Sequence, residues 1–287
     1  MNAKVAFIGF GEAGRAFARA GDAAFDLKTG DPADRAAKLA DYDVGGVHGC
    51  ETAREALDGA AAVLSLVTAD QALVAAQDNA ALLAPGALWL DMNSVAPGTK
   101  RAAAAAIEAA GGRYADVAVM APVHPAGLAV PLLVAGPHAA DAAAALAAIG
   151  FTKVEIAGPK VGDASAIKMI RSVMVKGIEA LTGECILAAN RAGVTEAVLA
   201  SLDASSKVQG WRERADYNLD RMLAHGTRRA AEMEEVANTL AELGIDPVMT
   251  RGTIARQREL GALGVVPPEG LAAKLARIDG SATGQAA

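Results

Sequence analysis

The chain has 287 residues, of which 53% are hydrophobic and 3% aromatic, and its formal net charge is −6. An acidic chain with no basic stripe cannot neutralise a run of phosphates, which excludes nucleic acid as its main partner. The length exceeds that of an ordinary single domain and predicts two domains.

Cysteine usage and hydropathy both favour a cytoplasmic protein. Cys50 and Cys185 lie far apart, with no CxxC pair and no histidine-rich cluster, so we expect two buried thiols and neither a disulfide framework nor a metal site. No charge-free apolar run reaches the ~18 residues of a membrane span, and no signal-peptide pattern precedes the first strand. We therefore expect no membrane partner.

Strand and helix patterns alternate through the first half of the chain. Apolar runs predict strands at residues 5–8, 23–27, 44–47, 62–67, 87–91, 114–119, 132–135 and 153–156. The clearest helices between them are predicted at residues 70–83 and 97–110, the second with Ser94 as a candidate cap and Pro97 near its first turn. Residues 1–160 are therefore predicted to form an α/β domain with a doubly wound, mostly parallel sheet.

The pattern becomes helical from Gly162 onward. Ile167, Ile170, Met174 and Ile178 recur at helical spacing and predict one long helix to about residue 192. Breaks at residues 193, 210, 226, 244–247 and 264–268 divide this part of the chain into about five helices. Residues 161–287 are therefore predicted to form an all-α domain. The long helix is apolar on more than one face, so we expect it to pack against a second subunit in a homodimer.

Gly9, Gly11 and Gly14 follow the first strand and lead into a helix. In such a G-x-G-x-x-G loop the first glycine allows a tight turn, the second lets the backbone approach a pyrophosphate, and the third lets the helix pack on the strand. Free N–H groups and the positive end of the helix dipole meet the anion. The context predicts a Rossmann domain that binds NAD or NADP; an ordinary strand-turn-helix is the alternative.

Asp26 ends the second predicted strand. A carboxylate there can accept hydrogen bonds from ribose hydroxyls and repels a 2′-phosphate, which favours NAD. Lys28, two residues further on, could instead reach a 2′-phosphate, so NADP stays open. The alternative for Asp26 is a turn residue before Gly30.

Lys168 lies in an otherwise apolar helical run that includes Ala164, Ile167 and Met169. Desolvation there would disfavour the charged form of the amine, which makes this lysine a candidate to transfer a proton. Ser172, four residues later, lies on the same helix face and could bind the same ligand. Taken alone, a lysine in a helix is more often a solvated side chain.

Together these stretches resemble the β-hydroxyacid dehydrogenase family, which includes 3-hydroxyisobutyrate and 6-phosphogluconate dehydrogenases. Besides the glycine loop, the resemblance rests on residues 91–97, which are similar to the family's D-x-S-T-I-x-P, and on the G-x-x-x-x-x-K segment that ends at Lys168. It implies hydride transfer between a nicotinamide and a small hydroxy acid or related alcohol. It further implies that Lys168 is the general acid/base and that Ser94 lies near nicotinamide and substrate.

The chain also looks like a poorly characterised branch of that family, which is 6-phosphogluconate dehydrogenase-like and has a C-terminal domain of unknown function. This similarity lies in residues 119–123, 162–169 and 228–233. Better-known members carry Ser-Gly-Gly, whose amides hold a substrate carboxylate, where this chain has Met120, Ala121 and Pro122. Proline has no N–H, which removes one donor. The better-known members have an asparagine at the position of Ser172 and a Lys-Asp pair at the position of residues 231–232. Candidates for replacement charge are His124, Arg171, His225, Arg228 and Arg229.

The resemblance and the motifs assign two sets of site residues. Predicted cofactor contacts are Gly9, Gly11, Glu12, Ala13, Gly14, Asp26, Lys28, Val67, Thr68 and Ser94. Predicted substrate contacts are Ser94, Met120, Ala121, Pro122, His124 and Ser172, beside the catalytic Lys168. Two alternatives to the dehydrogenase remain, an imine reductase and a non-catalytic NAD(P)-binding protein.

Overall fold

The computed structural model describes residues 4–205 and 210–283. The chain divides into two compact units, Met1–Val173 and Met174–Ala287. This division falls inside a long helix. The domain boundary after residue 160 stays a prediction.

The first unit is built around an eight-stranded sheet. Its strands are β1 (Val5–Ile8), β2 (Ala23–Phe25), β3 (His48–Gly49), β4 (Ala62–Ser65), β5 (Leu88–Asp91), β6 (Arg113–Val119), β7 (Leu132–Ala135) and β8 (Val154–Gly158). They are ordered β3-β2-β1-β4-β5-β6-β7-β8. Neighbours are parallel except β6 and β7, so the last two strands run opposite to the other six. The predicted doubly wound, mostly parallel sheet is confirmed, and its first six strands have the order of a dinucleotide-binding fold.

Helices cover both faces of this sheet. In the first unit they are α1 (Glu12–Phe17), α2 (Arg35–Gly45), α3 (Ala53–Leu57), α4 (Ala72–Ala80), α5 (Pro97–Ala109), α6 (Ala139–Ile149) and the start of α7 (Asp163–Arg191). Side chains of a strand alternate between faces. Phe7 accordingly enters one core with Phe17 of α1, while Ile8 enters the other with Trp89 and with Ile107 of α5.

The regular elements described in residues 174–205 and 210–283 are all helices, as predicted: the rest of α7, then α8 (Thr195–Ser205), α9 (Trp211–Glu242), α10 (Val248–Gly261) and α11 (Leu271–Thr283). Glu184 of α7 accepts hydrogen bonds from the first amides of α10, at Met249 (2.8 Å) and Thr250 (3.0 Å). Buried Lys274 of α11 donates to Asp216 of α9 at 2.8 Å. Polar side chains therefore connect α7 with α10 and α9 with α11 inside this unit. No described helix is long and apolar enough to cross a membrane.

Three local predictions are wrong. The strand expected at residues 44–47 begins only at His48, because α2 continues to Gly45 and ends on Gly46, whose φ of 64° is left-handed. Ser94 does not cap α5; the N-cap position is Ala96, with no side-chain hydrogen bond. Cys185 is exposed rather than buried, whereas Cys50 is buried as expected.

The helix break expected at Gly226 is also wrong, because α9 runs through this position. A Cβ atom on Gly226 would lie 2.2 Å from the carbonyl oxygen of Gln257 in α10, and one on Gly261 would lie 2.2 Å from the amide nitrogen of Thr227. The two glycines therefore allow the backbones of α9 and α10 to touch where they cross. Gly226 serves close packing and not helix termination.

Candidate active site

The glycine loop joins β1 to α1 in a conformation that requires glycine. Gly9 has a φ of 84°, and a Cβ atom there would lie 2.5 Å from the carbonyl oxygen of Leu66. A Cβ on Gly14 would lie 3.0 Å from the Phe10 ring and 3.4 Å from the Gly9 oxygen, so α1 packs closely against the loop. A Cβ on Gly11 would meet nothing within 4 Å. Gly11 thus faces open space, which is what a pyrophosphate needs beside the backbone.

A cleft of about 770 Å³ opens next to the loop. Gly9, Gly11, Asp26, Lys28, Val67 and Thr68 of the predicted cofactor set line it. The Asp26 carboxylate, at the end of β2, accepts from the Phe10 amide at 2.8 Å and from the Lys28 amide at 3.0 Å. Asp26 therefore holds the loop and its own turn in place while it also faces the cleft. Its role toward a ribose stays a prediction.

Cations and carboxylates are mixed at the Asp26 end of the cleft. Lys38 is 6% exposed; its Nζ donates to the Phe10 carbonyl at 2.6 Å and to Asp41 at 2.8 Å. Arg15 also pairs with Asp41 at 2.5 Å. The hydrogen bond and charge of Lys38, and to a smaller extent those of Arg15, lower the pKa of the Asp41 carboxyl. The Lys28 ammonium lies 3.3 Å from Asp34. Carboxylates thus already pair with each of these three cations.

A smaller cavity of about 370 Å³ adjoins the cleft, and Leu66 and Val67 line both. Its wall includes seven predicted site residues, Glu12, Ala13, Val67, Ser94, Ala121, Pro122 and Lys168. Lys168 projects from α7, and its Nζ donates to the Ser94 hydroxyl at 2.6 Å. The remaining wall is largely apolar, with Met92, Val119 and Val123. An amine and a hydroxyl in contact therefore face a small cavity whose wall carries both polar and apolar groups.

Three predicted substrate residues lie outside the lining of this cavity. The Ser172 hydroxyl donates to the carbonyl of Lys168 at 2.9 Å and so bonds to its own helix. His124 is exposed. The Met120 carbonyl accepts from Arg171 at 3.3 Å. Their role toward a substrate stays a prediction.

A buried ionic network lies beneath the cavity, and the sequence alone did not reveal it. Asp91, Lys100 and Asp116 are all 0% exposed. The Lys100 ammonium donates to the Asp91 carboxylate at 2.9 Å and lies 3.4 Å from that of Asp116. Tyr114 donates to the other Asp91 oxygen at 2.7 Å, and burial followed by the Asp91 charge raises the pKa of this phenol far above its usual range. One buried cation therefore serves two buried carboxylates.

This network connects the elements that carry the site. Asp116 accepts from the amides of Gly162 (3.1 Å) and Ser165 (3.0 Å), which begin the helix that bears Lys168. On the other side, Asp91 accepts from the Asn93 side chain at 2.8 Å, and Asn93 accepts from the Val67 amide at 2.7 Å. The sequence signals for it were a carboxylate at the end of one apolar strand (Asp91), a carboxylate in the middle of the next (Asp116) and a lysine within an alanine-rich helix.

Two family models match the chain. The NAD binding domain of 6-phosphogluconate dehydrogenase matches residues 4–155, which is more than half of the chain. A domain of unknown function, DUF1932, matches residues 189–260. Both matches agree with the resemblance drawn from the motifs.

Similar structures have been solved. A conserved hypothetical protein from Sinorhizobium meliloti 1021 is 37% identical, covers 98% of this chain and 97% of its own, and has a TM-score of 0.59. A conserved protein of unknown function, described as structurally similar to 3-hydroxyacid dehydrogenases, is 32% identical over 90% of this chain and 97% of its own, with a TM-score of 0.58. An imine reductase from Streptomyces aurantiacus, 22% identical over 95% of this chain and 98% of its own, shares the fold with a TM-score of 0.70.

A curated relative is an uncharacterized 28.5 kDa protein of Methanothermus fervidus, 29% identical over 103 residues or 35% of this chain. The match spans 39% of the length of that relative. Two findings show the family to which the chain belongs: the family match over residues 4–155 and the relative that is 37% identical over 98% of this chain. The chain belongs to the β-hydroxyacid dehydrogenase superfamily, with an NAD-binding domain of the 6-phosphogluconate dehydrogenase type and a C-terminal domain of unknown function.

Proposed function

We propose that the protein is an NAD(P)-dependent oxidoreductase that interconverts a small hydroxy acid or related alcohol and its carbonyl form. The observation that carries the proposal is the contact between the Lys168 amine and the Ser94 hydroxyl at 2.6 Å, at a cavity that adjoins the dinucleotide cleft. Glycine geometry and open space beside Gly11 fit the cofactor.

In this proposal the residues of the protein hold the reacting groups in position and carry the proton. A bound nicotinamide supplies the two-electron hydride chemistry at its C4 atom. In the oxidation direction the neutral Lys168 amine accepts the proton of the substrate hydroxyl, and in the reduction direction its ammonium returns a proton to the carbonyl oxygen. The Ser94 hydroxyl accepts from Lys168 Nζ and holds the nitrogen at the cavity. The apolar side chains of Val119 and Pro122 form part of the wall beside these groups.

For the cofactor we propose NAD. The negative charge of Asp26 at the cleft opposes a 2′-phosphate, and Lys28, the residue best placed to accept one, already pairs with Asp34. Fluorescence titration should give tighter binding of NADH than of NADPH. Asp26→Asn, which keeps an acceptor for the Phe10 amide, should narrow the difference between the two affinities. Asp43→Asn, at an exposed carboxylate that does not line the cleft, serves as the control. Tighter NADPH binding by the unaltered protein would reject the assignment.

We also propose that the active protein is a cytoplasmic homodimer. Large apolar side chains are exposed along α7, among them Ile170 (72%) and Leu187 (56%). A surface of this kind marks a protein interface. Light scattering should give twice the chain mass of 28.9 kDa, and Ile170→Glu should lower it.

The test of the catalytic proposal is a turnover panel of hydroxy acids, aldehydes and cyclic imines with both nicotinamide cofactors. Lys168→Ala should lower turnover by about 10²-fold or more with NADH affinity nearly unchanged, which is the effect expected for a lost acid/base. Lys160→Ala, which removes an exposed lysine just before α7, is the matched control. An equal loss of cofactor affinity would mean that Lys168 is structural.

The same panel decides between the dehydrogenase and its two alternatives. An imine reductase is favoured by the apolar side chains of Met92, Val119 and Val123 in the cavity wall, and it predicts turnover of cyclic imines in preference to hydroxy acids. A non-catalytic NAD(P)-binding protein predicts NADH binding without turnover of any compound.

A further inference from the structure

The helical unit holds a cavity of its own, between α7, α9 and α10. Its volume is about 610 Å³, which lies within the range of small-molecule binding sites. All of its described lining residues belong to residues 174–287, and none of them lines the dinucleotide cleft or the cavity at Lys168. This cavity thus shares no described wall with the candidate active site.

Much of the wall is apolar and adaptable in shape. Apolar side chains come from all three helices: Met174 and Leu181 of α7, Met222 of α9, and Val248 and Met249 of α10. Three of the eight methionines of the chain are therefore in this one wall. Because the methionine side chain is unbranched and polarizable, it fits irregular apolar shapes and makes favourable sulfur contacts with aromatic rings. These walls suit the apolar part of a ligand.

Arginines supply all of the formal charge among the lining residues that the structure describes. Arg221 and Arg229 belong to α9 and Arg256 to α10, and no carboxylate accompanies them in the described wall. The chain as a whole has a formal net charge of −6, so this local excess of positive charge is opposite in sign to the protein. Such a wall favours an anionic group on the ligand.

Two of the three arginines have donors available at the cavity. Arg256 pairs with Glu259 at 2.6 Å, whereas no described residue forms an ion pair or a hydrogen bond with Arg221 or Arg229. The Nε atom of Arg229 is moreover buried.

A second buried polar atom without a partner lies close to Arg229. Within the described part of the chain, Oε1 of Gln257 has no hydrogen-bond partner, although Gln257 is only 9% exposed. A Cβ atom on Gly226, three residues before Arg229, would lie 2.2 Å from the Gln257 carbonyl oxygen, which places the two side chains at the same helix crossing. Buried polar groups in native proteins are normally paired. This part of the cavity therefore has hydrogen-bonding capacity that a ligand can use.

We propose that this cavity binds a carboxylate with an apolar body and that Arg229 is the residue that holds the carboxylate. A planar guanidinium can donate two parallel hydrogen bonds to a carboxylate. The apolar body packs against the methionine-rich wall, and Arg221 adds positive charge to the same wall. The inference goes beyond the proposed function and does not depend on it.

The binding test uses phenylbutyrate, an aromatic ring joined to a short-chain carboxylate, which is titrated calorimetrically into the full-length protein. Phenylbutanamide has nearly the same shape without the charge and should bind about 10- to 100-fold more weakly, the range for a lost charged hydrogen-bond pair. Acetate, which lacks the apolar body, should show no binding.

The decisive variant is Arg229→Gln. It should weaken the binding of phenylbutyrate by about 10- to 100-fold and leave the binding of phenylbutanamide nearly unchanged. A general loss of structure would weaken the binding of both compounds, so the comparison separates a ligand contact from a role in folding.

Two control variants should bind phenylbutyrate as the unaltered protein does. Arg212→Gln removes an exposed arginine of α9 that does not line the cavity, and Lys168→Ala alters the candidate active site. No binding of phenylbutyrate, equal affinity for the acid and the amide, or loss of binding in Lys168→Ala overturns the inference. Binding by Ile170→Glu alone also overturns it, because a second copy of the chain would then occupy the cavity of the unaltered protein.

Discussion

Lys100→Met should destabilise the first unit strongly. Methionine keeps an unbranched side chain of similar length but removes the ammonium that donates to Asp91 at 2.9 Å and lies 3.4 Å from Asp116. All three side chains are fully buried. The substitution therefore leaves two buried carboxylates close together without a counter-charge.

The expected loss follows from this burial. Removing one partner of a buried ion pair costs about 3–5 kcal/mol, a large part of a total stability of about 5–15 kcal/mol. At about 2–4 °C per kcal/mol for a unit of this size, the thermal midpoint should fall by about 6–20 °C.

Chemical denaturation followed by circular dichroism measures this loss. Lys153→Met, at an exposed lysine, is the matched control and should stay within about 0.5 kcal/mol of the unaltered protein. Adding Asp116→Asn to Lys100→Met removes one of the stranded charges and should restore part of the stability. A loss below about 1 kcal/mol for Lys100→Met, or a double variant that is less stable than the single one, would refute the reasoning.

Other predictions concern the glycine loop, the helix crossing and a buried lysine. Gly11→Val should abolish NADH fluorescence enhancement with an unchanged thermal midpoint, because its side chain would fill open space at the cleft; retained binding would contradict the cofactor assignment. Gly226→Ala should destabilise the second unit by about 1–3 kcal/mol in urea, since its Cβ would lie 2.2 Å from a backbone oxygen of α10. Gly252→Ala, with nothing within 4 Å, should stabilise α10 by about 0.5–1 kcal/mol. The hydrogen bond to Asp216 raises the pKa of Lys274, so its contribution to stability is complete below pH ~10.4 and is lost as pH rises through the raised value. Thermal midpoints between pH 8 and 11 should therefore fall less for Lys274→Met than for the unaltered protein.

Much of the fold was predictable because its signals are local. Apolar runs located the central strands to within one or two residues, since parallel strands covered on both faces read as continuous hydrophobic segments. The strand expected at residues 44–47 failed because the same apolar residues continue α2, and only the left-handed Gly46 marks its end.

The candidate site was predictable in part. Gly9, Gly11 and Lys168 stand in recognisable motifs, and each lines the cleft or the cavity. The sequence leaves two interpretations of Ser94, a helix cap or a residue near nicotinamide and substrate. Its contact with Lys168, across 74 positions, was predicted by neither. No local sequence pattern indicates a contact between residues so far apart in the chain.

By itself, the sequence determined the order of strands and helices, the glycine loop and the lysine candidate, because conformational preference and hydrophobic periodicity act over a few neighbouring residues. The tertiary structure decided which polar groups meet. Lys100 of α5 joins Asp91 and Asp116 only because the register of the adjacent strands β5 and β6 sets these two carboxylates side by side. Gly226 supports a helix crossing rather than a break because α10 lies against it. Such pairings depend on distances in space that spacing along a chain does not encode.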